Sequence, residues 1–110
     1  MGQNILPLLK FKMLLKIHEA YRKVVAVCDA ELLGKKYTEG NRQLDINKDF
    51  YGGKKIDEAK LIAALKELNE DDATFNIVGQ NSVNTAIKAG IINKDGIIKV
   101  KGIPFALSFL

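Results

Sequence analysis

The chain has no tryptophan, one cysteine and one histidine, and each scarcity removes a class of explanation. Cys28 has no partner within the chain, so no internal disulfide can form, and with no export signal in view a reducing cytosol is the expected compartment. One Cys and one His cannot furnish the ligand set of a zinc site. The acidic run Glu70, Asp71, Asp72 lacks the glycine and the ligand spacing of a calcium loop. Neither a Walker lysine nor a GxGxxG loop occurs, so no nucleotide, metal or other cofactor is expected. The apolar stretch from Ile5 to Ile17 is broken by Lys10, Lys12 and Lys16, too short and too charged to span a bilayer. Internal repeats, linkers and heptads are also missing.

What is present is ordinary in amount and uneven in arrangement. A chain of 110 residues, 47% apolar and 27% charged, suits one globular domain with one core, aliphatic in character. Residues 1–12 lack a partner in the strand pattern and read as an N-terminal extension from an upstream start, leaving 13–110 as the domain. Through Lys55 eleven basic residues face six acidic ones, whereas from Ile56 onward six face seven. That basic surplus is compatible with an acidic partner such as RNA, and equally with a solvated lysine-rich surface.

Leu15 and Ile17, then Val25 and Val27, alternate with residues on the other face and predict two strands joined around Ala20–Lys23. Asp29 to Leu33 reads as a helical turn capped by Asp29 and stopped by Gly34, after which Lys35, Lys36 and Tyr37 project. Glu39–Asn41 reads as a turn, Gln43–Ile46 as a third strand and Phe50–Gly53 as a loop. Asp57 caps the best helix, running to Leu68 with Leu61, Ile62, Leu65 and Leu68 on one stripe. A strand over Phe75–Val78, a helix over Asn81–Ala89 stopped by Gly90, and strands over Ile97–Lys101 and Ile103–Phe109 follow. The order predicts an α+β domain: a mixed sheet of about four to six short strands packed with two main helices.

The segments VCDAELLGKKYTEG, FYGG, NIVGQNSVNTAIKAGII and GIP, in this order and spacing, resemble the archaeal domain-of-unknown-function family 424, over nearly the whole chain from Met13. The resemblance implies an archaeal cytosolic source and a link to translation or RNA, with no established activity. Family members often carry a histidine after the proline of the last motif; here Phe105 follows Pro104.

Three functional readings stand side by side. The first is a non-enzymatic RNA-binding or ribosome-associated module: Lys35, Lys36 and Tyr37 at one turn, and Tyr51, Lys54 and Lys55 at another, could place lysines on phosphates and a tyrosine ring on an unpaired base. The plainer account has the aromatics anchoring a loop and the lysines solvated. The second is a small ligand-binding domain or enzyme near Cys28 and Asp29, because a thiol at a strand-to-helix turn can be activated. Gly79, Gln80, Asn81 and Ser82, leading a strand into a helix N-terminus, are the matching anion-binding candidates. Their plainer account is a core cysteine, and a turn capped by Asn81 or Ser82. The third is a homodimer formed through an exposed strand edge or the apolar tail Ile103–Leu110.

Overall fold

The computed structural model of the protein describes residues 12–108. The sheet begins with an antiparallel hairpin, β1 (Met13–His18) and β2 (Val24–Asp29), in which Leu14 lies opposite Cys28 and His18 opposite Val24. A 3-10 turn, Ala30–Leu32, leads to a second hairpin of β3 (Lys36–Glu39) and β4 (Arg42–Asp45). A single helical turn, α1 (Lys48–Tyr51), precedes the short strand β5 (Lys54–Ile56). Then come α2 (Glu58–Glu70), β6 (Thr74–Val78), α3 (Gln80–Lys88), β7 (Ile98–Val100) and β8 (Ile103–Ser108). The main sheet has the order β5-β1-β2-β6-β8-β7, with β2 and β6 parallel and the other pairs antiparallel. The α+β class and the mixed sheet agree with the sequence.

Strand alternation sorts the sheet into two faces. On one, Met13, Val25, Val27, Phe75 and Ile77 meet Leu61, Leu65 and Leu68 of α2 and Val83 and Ala86 of α3. On the other, Leu14, Ala26, Cys28, Val78 and Val100 meet Leu44 of the second hairpin, Ile46 just after it and Tyr51 of α1. Helices cover the first face and a hairpin with one helical turn covers the second.

α2 starts where its chemistry says it should, since the Asp57 carboxylate accepts from the Lys60 N–H at 2.8 Å and so satisfies one of the free first-turn donors. Three stretches depart from the expectation. Lys54 and Lys55 are not at a turn but in β5, paired with Leu15 and Leu14. Lys36 and Tyr37 do not project from a turn: they are in β3, paired with Asp45 and Leu44. Phe50 and Tyr51 are helical because Asn47 caps α1, its side-chain oxygen accepting from the N–H groups of Asp49 and Phe50 at 2.7 and 3.2 Å. The extension read over residues 1–12 lies, but for Lys12, outside the described residues. Among the described residues no helix is long and apolar enough to cross a membrane.

Candidate nucleic-acid interface

α1 is the pivot of the basic region. Its first residue, Lys48, lies beside Gly34, where a Cβ would come within 3.0 Å of the lysine Cε. Gly34 and the Lys35 that follows it are bound to Ile46 through two backbone hydrogen bonds, Gly34 N–H to Ile46 O at 2.7 Å and Ile46 N–H to Lys35 O at 2.9 Å. Near its other end the Phe50 ring stacks on His18 at 4.8 Å, and His18 Nε2 donates to the Phe50 carbonyl at 2.8 Å. α1 thereby ties the Lys35–Lys36 corner to the last residue of β1. Lys35, Lys36, Lys48, Lys54 and Lys55 are all exposed. Only Lys36 has a carboxylate partner among the described residues, Asp45, and that pair is 4.0 Å apart.

The two lysine pairs do not all look the same way. Lys55 stands opposite Leu14, which belongs to the hairpin-covered face, so Lys55 shares that side. Lys54 alternates to the helix side with Ile56, which packs on the first cluster. Lys36 and Asp45 point away from the core because their neighbours Tyr37 and Leu44 point into it. Sequence reasoning misses Lys48, although the cap signal Asn47 just before it marks the helical turn that presents it.

Tyr51 is corrected as a stacking residue. It is buried, its ring edge-on to Phe50 at 4.9 Å, and its hydroxyl is pushed up to about 12 by burial, with Cys28 and Asp45 adding to the effect. A ring that fills the core has no face to offer a base. Tyr37 is half-buried against the same cluster.

The thiol and anion candidates are also occupied, and by each other's neighbourhood. Cys28 is fully buried, with its Sγ 4.0 Å from the Tyr51 carbonyl, and burial followed by the adjacent Asp29 charge pushes its pKa up to about 12. Such a thiol stays protonated at neutral pH. His18, the lone histidine, stands at the opposite end of the β1–β2 hairpin from Cys28. The anion expected at Gly79–Ser82 is the protein's own Asp29. Its Oδ1 accepts from the Ser82 N–H at 2.8 Å and the Ser82 hydroxyl at 2.7 Å, and its Oδ2 from the Asn81 N–H at 3.1 Å and Asn81 Nδ2 at 3.4 Å. Gly79, at φ +107°, lets the carboxylate in, because a Cβ there would collide with Asp29 Cγ. Asp29 therefore caps α3, in place of Asn81 or Ser82, and not its own turn.

A cleft of about 860 Å³ runs along α3 beside the start of α2; Lys12, Lys94, Asn84 and Asp57 line it, with Glu58 paired to Lys88 at 2.7 Å. Charges of both signs share its walls.

The model of a protein family of unknown function, DUF424, matches residues 17–109. The chain belongs to this family. The DUF424 chain is also similar to the crystal structure of an uncharacterized conserved protein from Methanopyrus kandleri, with a TM-score of 0.77 and 28% identity over 86% of this chain and 88% of that one. No curated protein matches it. The resemblance read from VCDAELLGKKYTEG, FYGG, NIVGQNSVNTAIKAGII and GIP thus holds at the level of family, and it brings no activity with it.

Proposed function

We propose that this DUF424 protein is a non-enzymatic RNA-binding accessory module, meeting RNA, free or within a ribosome, through Lys35, Lys36, Lys48 and Lys55, with Lys54 at the margin. The observation that carries the reading is the set of exposed lysines around α1 that lacks carboxylate partners among the described residues, save for the 4.0 Å pairing of Lys36 with Asp45. Free ammonium groups on a held framework release counterions when they meet phosphates, and little side-chain rearrangement stands in the way. The occupied α3 N-terminus and the protonated Cys28 weigh against a catalytic site in the same region.

The edges of the sheet favour a monomeric surface over strand pairing between copies. β5 and β7, three residues each, carry Lys54, Lys55 and Lys99, and lysines on a short edge disfavour edge-to-edge association. β8, which holds most of the apolar tail, is paired on both sides by β6 and β7; Phe109 and Leu110 lie outside the described residues.

The test is a salt titration of RNA affinity. Replacing Lys35, Lys36, Lys48 and Lys55 by Gln should weaken binding and lower the log-log salt slope by about 0.7 for each single-strand phosphate that is no longer neutralised. Lys54→Gln should lower it less than Lys55→Gln. A fourfold variant with unaltered affinity and slope would exclude this surface.

A further inference from the structure

The turn between β1 and β2 holds an aromatic residue that the fold does not use. Tyr21 is 107% exposed, its ring wholly in water, beside an exposed Arg22. Each of the other aromatic side chains among the described residues is packed: Phe75 and Tyr51 are buried, Phe50 lies on His18, and Tyr37 and Phe105 are packed against the second cluster. Turn chemistry does not ask for a tyrosine here, and the segment Glu19, Ala20, Tyr21, Arg22 contains none of the Gly, Pro, Asn, Asp or Ser residues that shape tight turns.

The turn is nonetheless held at both ends. On entry, His18 is fixed by its stack and hydrogen bond to Phe50 of α1; on exit, the Lys23 carbonyl accepts from the Thr74 N–H at 2.9 Å. The ring is thus presented from a braced base, at the end of the hairpin that α1 links to the lysine corner. Resting on the RNA reading above, we propose that Tyr21 stacks on an unpaired base while Arg22 meets a neighbouring phosphate, so that the RNA bound is single-stranded and not duplex. A free ring face can stack on any base that is itself unstacked, whereas a base within a duplex has both faces covered.

The absence of tryptophan makes the test direct. Tyr21→Trp introduces the sole tryptophan, at the proposed RNA-facing position, and its fluorescence can be followed while a single-stranded RNA 12-mer, or the same sequence as a duplex, is added at fixed salt. Saturable quenching by the single strand and little by the duplex is the expected result. Tyr21→Ala should bind the single strand about tenfold more weakly with an unchanged salt slope, since a stacked ring releases no counterions, and Tyr21→Phe should restore most of the affinity.

If Tyr21→Ala binds as tightly as the parent while the lysine variant does not, the stacking inference falls and the phosphate surface stands. Equal quenching and equal weakening on single strand and duplex would overturn the strand preference. If the parent binds neither RNA, both readings fall together, and the exposed ring is left to a protein partner.

Discussion

The helix-covered and hairpin-covered faces of one sheet follow different rules. The helix side closes over an aliphatic cluster in which Leu61, Leu65, Val25, Val27 and Ile77 have no exposed surface. The hairpin side buries its own set, yet mixes in Tyr51, Cys28 and half-buried Tyr37 and Phe50, and carries exposed lysines on its outer surface. Dispersion and apolar burial dominate the first side, where the buried Asp29 carboxylate and Ser82 add a polar contact at the start of α3. On the second, a thiol and a phenol are fitted into the packing.

The largest effect that could break this comparison is Leu65→Ala. Emptying a fully buried position under α2 should cost about 2–5 kcal/mol in urea unfolding and leave no change in the hairpin-side surface. A neutral outcome would mean that α2 does not seal the sheet.

Asp29→Ala comes next, with an expected loss of about 2–3 kcal/mol, because the Ser82 N–H and hydroxyl lose a buried charged acceptor. Asp29→Asn should lose less, and a calorimetric melt of both variants orders them.

Alkaline pH probes the hairpin side. Cys28 and Tyr51 both have folded pKa values raised to about 12, from ordinary values of 9.0 and 10.0. The unfolded chain therefore releases these protons first, and stability should be full below about pH 9 and fall as pH rises toward about 12. Urea midpoints across that range check it. Cys28→Ala should shift the onset of the fall toward the tyrosine's range, whereas an unchanged curve would show that the thiol is not protected as described.

The smallest effect is expected for Lys36→Gln, within about 0.5 kcal/mol, since an exposed pair 4.0 Å apart contributes little to folding. If RNA affinity changes while the melting temperature does not, the division between the two faces is sharpened.

How much of this is legible in the sequence depends on how local each signal is. α2 is readable because its cap and stripe both fall within one stretch, Asp57 to Leu68, and the strand at Phe75–Val78 is equally local. α1 reads as a loop because its aromatic-glycine run masks the Asn47 cap just upstream. Burial of Tyr51 depends on β2 and the second hairpin, which no nearby residue announces. Asp29 looks like the cap of its own turn because the first helix amide it binds, that of Asn81, lies 52 residues later. Tyr21 gives no signal, because a turn residue without turn chemistry carries no pattern at all.

The approach of Asp29 to Gly79 also constrains the order in which the molecule can assemble. α3 has nine residues, below the roughly 12–15 at which an isolated helix becomes appreciably populated in water. Its first-turn donors find their acceptor only when β2 and β6 are already aligned side by side, with Cys28 next to Val78. Parallel pairing across that separation in sequence is a slow, non-local event. Completion of α3 therefore waits on the sheet, and a peptide containing α3 alone should show little helicity even with its sequence intact.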